Sequence, residues 1–230
     1  MKSTIAFAAV LLFAAPPLAL AQDAQLQSVL DQMDKSSAKF ENVQADLRAD
    51  LYTAVVQDHE IQTGSTAFRR AGGSIEMATK IETDNGQPAA RDILYKNGEL
   101  DFYQPALKQE TIFSAGANRA EYDSLLATGF GASGKALAAA WTATLQGTET
   151  IDGVQTTKLD LVPKQASVRN NVSHVTVWID LARDITLKQI FYQPSGDTRT
   201  VTYSNIRYNT HLPGSLFTLK VPSGTQIQRR

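Results

Sequence analysis

The spacing of apolar residues changes period near residue 42. Between Ala24 and Phe40, Leu26, Val29, Leu30 and Met33 fall at i, i+3, i+4 and i+7, which gathers them on one face of an α-helix. From Val43 onward the period is two. Val43, Ala45, Leu47, Ala49 and Leu51 alternate with Gln44, Asp46, Arg48 and Asp50. Successive side chains of a strand leave on opposite faces, so this pattern predicts a strand that is dry on one side and wet on the other. The alternation returns at Ile75, Met77, Thr79 and Ile81, set against Glu76, Lys80 and Glu82.

Tight turns separate the later runs. "DILYKNGELDFYQP" carries Asn97-Gly98 between two β-like stretches, and "TETIDGVQTTKLDLVP" carries Asp152-Gly153. Both dipeptides tolerate the positive φ of a two-residue hairpin turn. "VSHVTVWID", "ITLKQIFYQPSGDTRTVTYSNIRYN" and "LFTLKVPSG" are rich in β-branched and aromatic residues. Only the stretch from about Glu121 to Leu145 departs from this. There Leu125, Leu126 and Phe130, then Leu137 and Trp141, suit one or two short helices joined at glycines. The predicted order is a helix, several antiparallel strands, a helical insertion and more strands: an α+β chain with a meander-like sheet in one domain.

The first residues change the picture of where this domain works. "MKSTIAFAAVLLFAAPPLALAQDAQ" has one early charge, Lys2, an apolar run from Ile5 to Ala15, and Ala19-Leu20-Ala21 as a small-residue exit. That describes a signal peptide over residues 1–21, cut after Ala21. Pro16-Pro17 interrupts the run, which falls short of the ~20 residues of a membrane span. Removing 21 of the 230 residues leaves 209, the expected mature domain 22–230. The chain has no cysteine, so disulfides, thiolate metal sites, a cysteine nucleophile and a lipid-bearing cysteine are all excluded. Loss of Lys2 moves the net charge from −1 to −2, and no block of like charges marks a nucleic-acid surface.

Candidate chemistry is sparse. "GFGASGKA", residues 129–136, comes near the phosphate loop G-x-x-x-x-G-K-[ST], yet Ala136 stands where a hydroxyl should hold Mg²⁺. The preceding "NRAEYDSLLAT" is helix-like rather than a buried strand, which favours two helix segments joined by glycines. Ser133 lies in no G-x-S-x-G elbow, and His59, His174 and His211 are isolated. Asp46 and Asp50 sit on the wet face of a strand. No enzyme and no cofactor are expected. One-sided strands with Phe68, Phe102, Trp178, Phe191, Tyr203 and Phe217 instead suit a curved sheet around an apolar cavity.

Several segments together resemble the LolA family of periplasmic outer-membrane lipoprotein carriers. They are the N-terminal helix leading into "FENVQADLRADL", then "GSTAFRRAG", "LYKNGELDFYQPALKQ", "VTVWIDLARDITLKQIFYQPSGDTRTVTYSNIRYN" and the ending "SLFTLKVPSGTQI". The resemblance implies a half-open curved antiparallel β-barrel with helices covering the concave apolar face. It implies a monomeric periplasmic carrier whose partners are acylated lipoproteins, an inner-membrane ABC lipoprotein-releasing complex and an outer-membrane acceptor. A lipid-binding envelope-stress sensor on the same fold is the alternative. The family's lid-closing arginine falls at Arg70, with Arg69 as the alternative. Ala71-Gly72-Gly73 replaces the family's proline and aromatic just after it. Alternation puts Leu47, Leu51, Phe68, Met77, Leu100, Phe102, Val177, Phe191 and Tyr203 on the cavity side. Leu126 and Phe130 are the lid candidates.

Overall fold

A computed structural model describes residues 18–114, 116, 123, 128 and 130–230, with side chains from residue 22. Residues 1–17, which hold most of the expected signal peptide, and the lid candidate Leu126 lie outside the described residues.

Helix α1 spans Leu18–Ser37. It is followed by β1 (Asn42–Thr53), β2 (Asp58–Ala71), β3 (Ser74–Asp84), β4 (Gln87–Lys96), β5 (Glu99–Gln104) and β6 (Gln109–Ser114). Helix α2 (Gly134–Ala140) leads into β7 (Trp141–Ile151), β8 (Val154–Pro163), the short α3 (Ala166–Arg169), β9 (His174–Asp180), β10 (Ile185–Tyr192), β11 (Thr198–Tyr208) and β12 (Gln226–Arg229). All twelve strands join one sheet in the order β12-β6-β5-β4-β3-β2-β1-β11-β10-β9-β8-β7. Two meanders therefore meet at a single seam, where β1 pairs antiparallel with β11. The sheet is curved and does not close.

Local chemistry explains most of these boundaries. Asn97 (φ 55°) and Gly98 (φ 81°) make the β4–β5 turn, and Asp152 (φ 48°) and Gly153 (φ 78°) repeat it between β7 and β8. Ala71-Gly72-Gly73 is the β2–β3 corner, where Gly72 (φ 55°) and Gly73 (φ 85°) occupy the left-handed region. A bulge interrupts the β1–β11 seam between Gln44 and Asp46, where β11 carries the extra residue around Asn205 (φ 49°). The alternation of β1 is therefore intact.

One expectation is corrected. The helical stretch ends at Ala140, and Trp141 to Leu145 begin β7, with Trp141 opposite Pro163 and Leu145 opposite Leu159. The alternation of "WTATL" and its β-branched threonines favour the pleated surface once a partner strand is present.

The inner face of the sheet carries two adjoining cores. In one, Leu30 and Met33 of α1 and Leu137 of α2 pack with Trp141, Leu159, Leu161, Val175, Val177 and Ile179. In the other, Phe40 and Phe130 pack with Val43, Leu47, Phe68, Ile81, Leu187, Val201 and Tyr203. On the outer face Phe217, in a short 3₁₀ turn (Gly214–Phe217), joins Ala67 and Leu94 in a smaller cluster. Trp178 also faces outward. Its ring lies 4.7 Å from Lys158 Nζ and 4.5 Å from Lys188 Nζ, and its indole N–H donates to Glu149 at 2.7 Å.

Candidate functional site

Strand register fixes which side chains share the inner face. Leu47 lies opposite Tyr203, Phe68 opposite Met77 and Val43, Phe102 opposite Ile93, Leu100 opposite Tyr95, and Phe191 opposite Val175 and Arg199. All nine residues expected on the cavity side thus occupy one face, at different depths. Leu47, Phe68, Tyr203 and Val177 are buried, and Val177 is wholly enclosed in the core that α1 and α2 share. Leu51, Met77 and Phe191 sit half-buried at the margins, and Leu100 and Phe102 of β5 are also half-buried.

Phe130 plugs the middle of this face. Its ring stacks on Phe68 at 4.0 Å between centroids and meets Tyr203 edge-on at 5.1 Å, while its backbone bridges Ile185. The Tyr203 hydroxyl donates to Gln189 at 3.1 Å, and Gln189 donates to the Thr128 carbonyl at 2.6 Å. Burial holds the Tyr203 phenol well above its ordinary pKa, so it stays neutral.

Gly131 is the node beside the plug. Its N–H donates to the Asp184 carbonyl at 3.1 Å, and its own carbonyl accepts from Ser37 Oγ at 2.8 Å and Arg70 Nη2 at 2.8 Å. Arg70 also donates to the carbonyls of Phe40 (3.3 Å) and Ser37 (3.2 Å). One guanidinium therefore ties the end of α1 to the segment behind Phe130. Glycine is required at this node: φ is +72°, and a Cβ there would stand 2.4 Å from the Phe40 ring. Arg69 faces outward, pairing with Glu76 at 2.6 Å and lying over the Phe217 ring at 4.1 Å. Of the two arginines, Arg70 is the one that reaches the Gly131 carbonyl.

"GFGASGKA" thus acquires a structural role. Ser133 caps α2 by accepting from Ala136 N–H at 3.1 Å, and Lys135 N–H donates to Asp34 of α1 at 3.1 Å. Gly134 lies against the α1 backbone, where a Cβ would come 2.1 Å from the Leu30 carbonyl oxygen.

A cavity of about 610 Å³ opens next to this node. Ala132, Ala136, Leu137, Ala139, Ala140 and Ile75 supply its apolar wall, and Arg70, Ser37, Ser74, Asp123 and Lys164 stand at polar positions around it. Among the described residues expected to bind or close over a ligand, Arg70 alone lines it. Small alanine side chains on α2 leave the volume that larger residues would fill. A smaller hollow of about 310 Å³ lies on the outer face, between Leu216 and Leu219 on one side and Lys80 and Asp92 on the other.

Asp184, in the β9–β10 turn, is fully buried, and among the described residues neither carboxylate oxygen has a hydrogen-bond partner. Burial pushes its pKa up to about 7, against the pull of Arg70 and with a further push from Asp34. Sequence reading passed over Asp184, Ser37 and Gly131; only the glycine carried a signal, and it read as a joint. Among the described residues no cluster of His, Asp or Glu could hold a metal ion, and no helix is long and apolar enough to cross a membrane.

No protein-family model matches the chain, and no curated protein sequence matches it. Solved structures do share the fold. A conserved protein from Thermus thermophilus aligns over 90% of this chain and 99% of its own, at TM-score 0.56 and 13% identity. MucB aligns over 89% of this chain and 66% of its own, at TM-score 0.53 and 11% identity. A LolA superfamily protein from Nitrosomonas europaea aligns over 84% of this chain and 97% of its own, at TM-score 0.43 and 17% identity. The open, curved sheet with an inner helical cap is thus a fold found in solved structures.

Proposed function

We propose that the protein is an exported, periplasmic carrier without enzymatic activity. It shields the acyl chains of lipoproteins and moves them from an inner-membrane ABC releasing complex to an outer-membrane acceptor. The observation that carries this reading is the cavity of about 610 Å³, walled by alanines and Ile75 and bordered by the Arg70–Gly131 contact. Its volume lies in the range of ligand pockets that enclose a small amphiphile. Each CH₂ removed from water contributes about 0.8 kcal/mol, so a long acyl chain has a strong reason to enter an apolar space and a protein has a strong reason to supply one. Release would open the contact at Gly131 and separate Phe130 from Phe68.

Native mass spectrometry with lipid extraction tests this on protein isolated from the periplasm without detergent. Co-purified acylated lipoproteins are expected. Free phospholipid alone would replace the carrier reading with the sensor alternative. Protein that is empty, and that takes up no acyl chain when offered one, would remove lipid binding altogether.

A further inference from the structure

Register places three arginines on the inner face: Arg70 beside Ile75, Arg91 beside Ile81, and Arg199 between Leu51 and Phe191. Two of them are matched. Arg70 donates to three backbone carbonyls, and Arg91 lies 2.8 Å from Asp84 and 3.7 Å from Glu60. Arg199 differs. Among the described residues its side chain has no hydrogen bond and no ion pair, and its Nε is out of contact with solvent and without an acceptor. The ionisable group that acts on it is the phenol of Tyr203, four residues along the same face and neutral. Burial lowers the arginine's own pKa, yet a guanidinium keeps its proton in any protein environment.

A cation held partly out of water without a counter-charge is costly, and a buried N–H without an acceptor adds to that cost. Its surroundings here are apolar. Leu51 and Phe191 flank it directly, and Ile151 and Val154 from the β7–β8 hairpin pack on the same cluster. Arg199, Leu51 and Phe191 are each only partly buried, so this end of the face is reachable from solvent. The planar fork of a guanidinium matches the oxygens of a carboxylate or a phosphate.

We propose that Arg199 receives the anionic headgroup, carboxylate or phosphate monoester, of an amphiphile whose hydrocarbon lies along the inner face past Leu51 and Phe191. This rests on the acyl-binding reading and adds a second ligand class to it, a free amphiphilic anion beside the acylated lipoprotein.

Titration calorimetry at pH 8 with dodecanoate, dodecyl phosphate and dodecanol tests the assignment on the exported protein, Arg199→Gln and Arg199→Lys. The wild type is expected to bind at least one of the anions roughly tenfold or more tighter than the alcohol, the scale of a charge-assisted contact. Arg199→Gln should erase that preference and leave dodecanol binding unchanged, which also reports an intact apolar face. Arg199→Lys should keep part of it. The tighter of the two anions identifies the headgroup. Equal binding of acid and alcohol by the wild type, or a preference that survives in Arg199→Gln, overturns the role of Arg199 and leaves the acyl-binding reading standing. Failure of the wild type to bind all three probes overturns both.

Discussion

Asp184 links the interior of the protein to pH. Its carboxyl ionises near pH 7 in the folded chain and near 3.8 in the unfolded one. The raised value means that the folded state holds a proton the unfolded state has already released. Its favourable effect is complete below about pH 4 and is lost as pH rises to about 7, after which it stays constant. Asp184→Asn cannot titrate. Its melting temperature should overtake that of the wild type between pH 4 and 7 and keep the lead above, by an amount of up to roughly 4 kcal/mol. Parallel melting curves across this range would show that Asp184 is solvated or paired. Two other single residues separate packing from binding. Leu47 is 6% exposed in the core, so Leu47→Glu should cost at least roughly 3 kcal/mol and unfold much of the protein. Half-buried Phe102, which does not line the cavity beside Arg70, should accept glutamate with far less loss, leaving a folded protein whose acyl-chain uptake shows whether the ligand reaches β5. Circular dichroism and a fluorescent fatty-acid titration on both variants would check the difference.

Between elements, α1 and α2 approach one another closely. A Cβ on Gly134 would meet the Leu30 carbonyl oxygen, part of a backbone that cannot turn aside as a side chain can. Gly134→Ala should therefore push α2 outward, loosen Leu137 and Ala140 from their neighbours, and speed hydrogen exchange over residues 134–140 by about tenfold or more. Unchanged exchange would place the flexibility elsewhere. This approach also marks the limit of what periodicity discloses. The alternation of β1 and the Asn97-Gly98 and Asp152-Gly153 turns were legible because the strand period and the turn conformation are local properties. That Leu47, Leu51, Phe68, Met77, Leu100, Phe102, Val177, Phe191 and Tyr203 share one face followed from the same rule. Depth was not legible, since Val177 and Phe102 obey one alternation yet only Val177 lies in the core shared with α1 and α2. Trp141 read as helical because its strand character depends on Pro163, a residue distant in sequence. Asp184, Arg199 and Ser37 gave no warning, because each matters through neighbours that only the tertiary fold assembles.

For the whole molecule, both sheet edges matter. β12 runs parallel to β6, and all four of its side chains are exposed. It holds through backbone bonds, Gln226 N–H to the Lys108 carbonyl at 2.8 Å and Arg230 N–H to the Ile112 carbonyl at 2.9 Å. A chain ending at Thr225 should keep nearly the same melting temperature and expose the β6 edge, which is an invitation to pair with another copy. Light scattering coupled to size exclusion should then detect association that grows with concentration. A strictly monomeric product would mean that the β6 edge is otherwise protected.

The seam between β1 and β11 carries a further consequence for how the protein is made. A chain threaded across a membrane with its N-terminus leading delivers β1 early, and that strand can turn to β2 at once. Its other edge, from Val43 to Tyr52, has no partner until residues 198–208 arrive. During that interval an unpaired edge and a half-formed apolar face meet the outside together, the combination that favours aggregation of slow, non-local sheets. For the exported carrier proposed above, the speed of translocation, and any holdase waiting at the exit, should therefore set the yield more than final stability does.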